Sequence, residues 1–190
     1  PLSHDEVVHG KATILQKMSG GYEEKFPQAR AFYLYMMVHP GKKLNFMGNE
    51  IGHFREWDEK REQDWLLRDF PIHDAFYRYM AELNHIYLDH PALSRWDYRP
   101  EGFAWLDCRQ EAACIYAIQR EGGGERLAAL FNFSDQARQY TLPAGAGAKL
   151  LLHTDWQRFG GHTPEEDCPA PSGGTLTVCL PPCSGQLYCM

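Results

Sequence analysis

The sequence predicts an α/β plus all-β chain, in which an alternating helix-strand-helix segment precedes an antiparallel β-sandwich. Three observations carry that prediction. Two stretches of the first half repeat apolar residues at helical spacing, a series of short aliphatic and aromatic runs fills the second half, and the rhythm changes between Pro91 and Arg99. The predicted division is residues 1–97 and 98–190.

From Phe26 to His39, apolar residues at Phe26, Ala29, Tyr33, Met36 and Met37 give the spacing of an amphipathic helix. Pro27 suits its first turn, and Pro40-Gly41 stops it. Lys43-Leu44-Asn45-Phe46-Met47, between Gly41 and Gly48, is too short for a helix and reads as a buried strand. Gly48 to Pro71 is a long polar loop crowded with Glu56, Asp58, Glu59, Arg61, Glu62 and Asp64 and anchored by Trp57 and Trp65, the kind of loop that carries function. Phe76, Tyr79, Met80, Leu83, Ile86 and Tyr87 then mark a second helix ending before Pro91. Tyr33, Tyr35, Met36 and Met37 read as helix core, in preference to a cofactor box.

Beyond Tyr98 the strand-like runs are Phe103–Leu106, Cys114–Ile118, Leu127–Phe133, Arg138–Leu142, Lys149–His153, Leu176–Leu180 and Gln186–Cys189. Gly122-Gly123-Gly124 signals a hairpin, and Asn132–Gln136 and Pro143–Gly147 are further turns. Seven short strands at this spacing suggest a β-sandwich. Its tryptophans, Trp105 and Trp156, and the neighbouring Trp96 read as buried, with stacking on sugar rings as the alternative. Glu165-Glu166-Asp167 reads as a solvated loop.

With 44% hydrophobic and 23% charged residues among 190, the chain has the material for a core and is not disordered. Its net charge of −6 is evenly spread, 12 basic against 15 acidic residues up to Asp97 and 7 against 10 after it. That balance, without a basic stripe, argues against nucleic acid and anionic membranes as partners. No run approaches the roughly 18 apolar residues of a spanning helix, and the first eleven residues lack a basic stretch followed by an apolar one. A cytoplasmic location is expected, and Pro1 in place of Met suggests a processed or truncated chain. The six cysteines lie in the second half without a C-x-x-C pair, so the expectation is reduced, mostly buried thiols with no zinc site.

The densest chemical cluster is Ser3-His4-Asp5-Glu6-Val7-Val8-His9. It is close to an H-E-x-x-H zinc motif, but five residues separate His4 from His9, about 140° around a helix, where chelation needs i and i+4. His4 and Asp5 instead offer a hydrogen-bonding ring beside a carboxylate, and Glu50 directly follows the short predicted strand, where an α/β barrel places its chemistry. The alternatives are that Asp5 caps a helix and Glu50 sits in a solvated loop. Trp57 is the aromatic candidate for substrate contact in the loop that follows.

Residues 1–11, Pro40-Gly41-Lys42-Lys43-Leu44 running into Phe46-Met47-Gly48-Asn49-Glu50, Arg55-Glu56-Trp57 and Asp64-Trp65 together resemble the last third of the bacterial glycogen branching enzymes, a family of the α-amylase superfamily. Leu180-Pro181-Pro182 and the all-β ending resemble that family's C-terminal domain. The resemblance implies that residues 1–97 are the C-terminal part of a catalytic (β/α)8 TIM barrel, followed by the β-sandwich. Strand seven would end at Ser3-His4-Asp5, strand eight would be Leu44–Met47, and the last barrel helix would cover Phe76–Leu88. It implies an enzyme of glycogen biosynthesis that passes α-1,4-glucan segments to 6-hydroxyls, with glycogen or amylose-like chains as partner and no organic cofactor or metal. By that likeness His4 hydrogen-bonds sugar hydroxyls and Asp5 is the carboxylate that stabilises the transition state, while Glu50 and Trp57 are further substrate-binding candidates. His53 and Gln63 depart from the family, which commonly has Gln and an aliphatic residue there.

The family's nucleophilic Asp and general-acid Glu lie on strands upstream of Pro1. Retaining glycosyl transfer needs two carboxyl groups about 5 Å apart, so the isolated chain is expected to be inactive. Two strands also cannot close a barrel, which leaves an unpaired edge at Leu44–Met47. The first half is therefore expected to pack on the β-domain, on the missing upstream barrel or on another copy. The reading from a different class is a non-catalytic glucan-binding or assembly module.

Overall fold

The computed structural model describes residues 1–190. Two α-helices, α1 (Lys25–Val38) and α2 (Pro71–Asp89), precede seven strands. These are β1 (Phe103–Gln110), β2 (Ile115–Gly122), β3 (Glu125–Asn132), β4 (Arg138–Pro143), β5 (Lys149–His153), β6 (Thr175–Leu180) and β7 (Ser184–Cys189). They form an antiparallel five-stranded sheet in the order β1-β2-β3-β7-β5, and β4 pairs with β6 in a second sheet. The sandwich expected from the alternating runs is present, and helical residues within it are confined to single 3-10 turns.

Alternation decides which strand residue faces which layer. On one face of the large sheet, Ile115, Ala117, Ala128, Leu130 and Tyr188 meet Leu142, Leu176, Val178 and Leu180 of the small sheet. On the other face, Ile118, Leu127, Ala129, Phe131 and Leu187 join α1 and α2 in a 25-residue core that also takes in Leu2, Val7, Ile14 and Leu15. The helical half thus packs on the β half and shares its core. Gly185 of β7 lies directly under α1, where a Cβ would come within 3.0 Å of both Leu34 and Phe131. Gly123 and Gly124 turn the β2–β3 hairpin with φ of +63° and +83°, the left-handed pair that a two-residue turn of this hand requires.

Three expectations need correction. The segment from Lys43 to Met47 is not a buried strand: Asn45 makes one parallel bridge to Leu2, and Leu44 and Met47 are 46% and 52% exposed. Its backbone pairing ends with Leu2 N–H donating to Leu44 O and Phe46 N–H to Leu2 O, so no ladder propagates. Second, α1 is a core helix, not an amphipathic one. It is clamped between α2 and the sheet, burying Ala31, Leu34 and Val38 as well as the expected Phe26, Ala29, Tyr33 and Met37. By contrast, α2 buries a single stripe, from His73 and Phe76 through Tyr79, Met80 and Leu83 to Ile86. Third, the thiols are not buried: Cys108, Cys168 and Cys179 are exposed, and Cys114, Cys183 and Cys189 are half-buried. Most of them lie on outward-facing strand positions or turns. Of the tryptophans, Trp156 is buried, Trp96 half-buried, and Trp105 stands exposed on the edge strand β1.

Two buried arginines bind the halves together. Arg30 of α1 donates through Nε to Thr154 O (2.5 Å) and through Nη1 to Phe159 O (3.1 Å), and faces Asp155 at 3.8 Å. Arg120 of β2 donates to Gly102 O (2.9 Å), to Val38 O at the end of α1 (2.6 Å) and to the Asp97 carboxylate (2.6 Å).

At the end of β5, the buried His153 accepts the Asp155 N–H on Nδ1 (3.0 Å). Burial pushes its pKa down to about 4 from 6.5, against smaller opposing pulls from Asp155 and Asp167. The unfolded chain therefore takes up this proton first, so the stability from neutral His153 is complete above pH 6.5 and is lost as pH falls toward 4. Thermal unfolding should show Tm dropping between pH 7 and pH 5. His153→Gln, which keeps an acceptor without a titrating ring, should flatten that dependence, and identical slopes for the two proteins would contradict the assignment.

Candidate functional site

The chain's exposed chemistry gathers where the Leu2–Asn45 bridge releases the chain. Ser3 Oγ accepts the Asp5 N–H (3.2 Å) and starts a 3-10 turn, His4–Glu6. This local cap follows from the side-chain oxygen of Ser just ahead of a helical turn. His4 and Asp5 are largely exposed, and His4 Nε2 lies 3.2 Å from Asp5 Oδ1. His4 also leans on Phe46, with ring centroids 6.0 Å apart, and Phe46 meets Trp57 edge-on at 5.3 Å. The two end rings of that row, His4 and Trp57, line an open cleft of about 510 Å³ together with Val8, His9, Asp58, Glu59 and Lys60.

Of the four residues singled out in the sequence, His4 and Trp57 line the cleft, Asp5 stands beside His4 without lining it, and Glu50 stands apart. Glu50 occupies a separate 3-10 turn, Asn49–Ile51, between the left-handed Gly48 and Gly52, and does not line the cleft. Its charge adds to burial in holding the phenol of Tyr33 on α1 well above its usual pKa. Asp5 does not cap an α-helix: Ser3 supplies the cap, and the Asp5 carboxylate stays free toward solvent apart from His4.

The loop that carries Trp57 is folded around ion pairs and backbone contacts. Arg55 grips Asp64 with two nitrogens, Nη2 at 3.0 Å and Nε at 3.3 Å, and donates to Glu62 O (2.8 Å) and Glu56 O (3.2 Å). That fork holds the Asp64 carboxyl below its usual range, helped by His53. The buried His53 accepts the Asp64 N–H on Nε2 (3.1 Å), and its Nδ1 lies 2.6 Å from Arg55 O, so the ring closes the loop from inside. Beneath it, His73 places Nδ1 2.7 Å from Ile51 O, among the rings of Phe26, Phe54 and Tyr22. Sequence reasoning missed Phe46, which packs between His4 and Trp57, and Arg55, Glu56 and Asp64 as the framework of the loop. Opposite charges at the two ends of one loop, Arg55 and Asp64, were the available signal.

The cluster offers an imidazole at an open, partly aromatic cleft, with the exposed Asp5 carboxylate next to that ring. It holds no pair of carboxylates placed for both nucleophilic attack and leaving-group protonation, and no group of ligands suited to a metal ion. Such a cleft suits hydrogen bonding to hydroxyls and electrostatic support of a positive centre.

Residues 105–189 match the model of the α-amylase C-terminal all-beta domain. The chain is 39% identical over 166 residues to the 1,4-alpha-glucan branching enzyme GlgB of Oceanobacillus iheyensis and 42% identical over 166 residues to that of Bacillus caldolyticus. Each alignment covers 85% of this chain but only 26% and 25% of the relative, so the chain spans about a quarter of their length. Among solved structures, the debranching enzyme of Nostoc punctiforme superposes with a TM-score of 0.61 at 18% identity, covering 88% of this chain and 32% of that one. Trehalulose synthase MutB of Pseudomonas mesoacidophila gives 0.58 at 17% identity, covering 86% and 38%. These structural likenesses show the fold. The sequence identities and the all-beta domain match show that the chain is similar to a C-terminal portion of the 1,4-alpha-glucan branching enzymes GlgB.

Proposed function

We propose that the protein carrying this chain is a 1,4-α-glucan branching enzyme of glycogen biosynthesis, which cleaves an α-1,4 linkage and passes the glucan to a 6-hydroxyl. The observation that carries this reading is the exposed His4–Asp5 pair, 3.2 Å apart beside an aromatic-walled cleft, in a chain about 40% identical to enzymes of that name. In this reading residues 1–97 complete the catalytic barrel and 98–190 are its β-domain. The parallel Leu2–Asn45 bridge then stands for the meeting of the last two barrel strands. His4 hydrogen-bonds sugar hydroxyls, Trp57 offers a ring face to the glucan, and Asp5 stabilises the positive charge that develops on the ring. Glu50 acts on substrate only through the upstream part of the barrel, since it stands apart from the cleft here. Chemistry requires a nucleophile and an acid from that upstream part, and α-glucan is the partner. No helix is long and apolar enough to cross a membrane, and a cytoplasmic location fits an enzyme that builds glycogen.

The test is proton NMR of linkages after incubation with amylose. The longer protein should produce new α-1,6 linkages, and this chain alone should produce none. Shortened linear glucans without branches would favour a hydrolase. Glucan binding without turnover by the longer protein would favour a non-catalytic binding or assembly module.

A further inference from the structure

The turn that carries His4 and Asp5 is hung between two anchors. On one side is the Leu2–Asn45 bridge. On the other, the Glu56 carboxylate accepts two backbone N–H groups from across the chain, Gly10 to Oε2 (2.9 Å) and Ala12 to Oε1 (2.8 Å). The adjacent Trp57 N–H donates to Val7 O (3.3 Å), so residues 56 and 57 together hold the segment that leaves the turn. That segment runs left-handed: His9, Gly10 and Ala12 have φ of +60°, +78° and +65°, a region that Gly adopts freely and Ala rarely. The carboxylate is the group that satisfies the two amides this conformation projects. Lys11 reaches back to the Asp5 carbonyl (2.7 Å) and Lys17 to that of Glu6, which transmits the clip to the turn. The Asp5 side chain has only His4 as a partner, so its position is set by the backbone beneath it.

We infer that Glu56 is a positioning residue for the His4–Asp5 pair: it clips the left-handed 9–12 loop and so fixes where the Asp5 carboxylate stands. The inference rests on the proposed role of Asp5, yet the clip is a property of this chain and is testable without it. Those two hydrogen bonds hold the Glu56 carboxyl below its usual range, with His9 and Lys17 adding to the effect, as expected of an anion that receives amides in its ionised form.

The closing experiment has two arms. In the 190-residue chain, hydrogen exchange at the Gly10 and Ala12 amides should accelerate at least tenfold in Glu56→Ala while the core amides of β3 stay protected. Unchanged exchange at both amides would overturn the clip. In the longer protein, Glu56→Ala should lower kcat at least tenfold with KM for amylose unchanged within twofold. Glu56→Gln, which keeps one carbonyl acceptor, should recover part of the loss. A kcat within twofold of the parent for Glu56→Ala, measured where Asp5→Asn is crippled, overturns the positioning role while leaving the Asp5 assignment intact. If Asp5→Asn itself keeps full kcat, the underlying reading fails instead.

Discussion

Asp5→Asn in the longer protein is expected to lower kcat by about 10² to 10³ while glucan binding stays nearly unchanged, the loss of one electrostatic group aimed at developing charge. Glycosyl transfer passes through an oxocarbenium-like transition state with positive character that the ground state lacks. A nearby carboxylate therefore stabilises the transition state selectively, and its removal appears in kcat. The geometry favours this reading over a structural one. Asp5 caps nothing, is largely exposed, and touches only His4, so the isosteric amide removes a charge without removing a packing contact. The folded state should accordingly be indifferent: Tm of the 190-residue chain should change by less than about 2 °C. A kcat within threefold of the parent would show that the carboxylate does not face the reacting centre.

Arg120→Met is expected to cost on the order of 3 to 5 kcal/mol of stability, the range for breaking a buried ion pair from one side. Arg120 and Asp97 are 1% and 7% exposed, so the stranded carboxylate has little access to water. The same substitution strips hydrogen bonds from the carbonyls of Val38 and Gly102, which tie α1 and the start of β1 to the sheet. Denaturant unfolding should show a lower midpoint with an unchanged slope. Pairing Arg120→Met with Asp97→Leu should recover a large share, because the unpaired charge is gone. A midpoint unchanged by the single substitution would mean that the two halves do not depend on this contact.

The seven strands of the β half were each legible, although β1 and β2 run four residues past the expected ends and β7 starts two residues earlier. Its strands alternate between two buried faces or between core and water, and Gly123-Gly124 supply the positive φ that the two-residue hairpin turn needs. The second helix was legible for the same reason, one stripe facing one layer. The first helix was misread because it packs on both sides. An apolar stripe does not reveal a helix buried nearly all round, and the buried Arg30 has no apolar signature at all. The run from Lys43 to Met47 misled because a short apolar stretch between glycines is compatible with a strand, yet a strand needs neighbours. Only Leu2 stands beside it.

For the candidate site, the sequence offers His4, Asp5, Glu50 and Trp57 as candidates but not their arrangement. His4 and Asp5 are adjacent in the chain, so their pairing needed no folding to bring about. Trp57 comes to the cleft of His4 across the ring of Phe46, on a loop held by the Arg55–Asp64 fork. Glu56 serves backbone amides 44 and 46 residues away, contacts that depend on φ angles and leave no pattern in the side chains. Glu50, adjacent in sequence to the predicted strand, was carried to another face by the left-handed Gly48 and Gly52.

The most direct test of the central claim, that the His4–Asp5 turn forms part of a sugar site, is a crystal structure of the longer protein with a bound maltooligosaccharide. The account predicts one glucosyl ring with hydroxyls within about 3.2 Å of both the His4 ring nitrogen and the Asp5 carboxylate. A glucan bound in the barrel with Asp5 turned away from every sugar oxygen would contradict it.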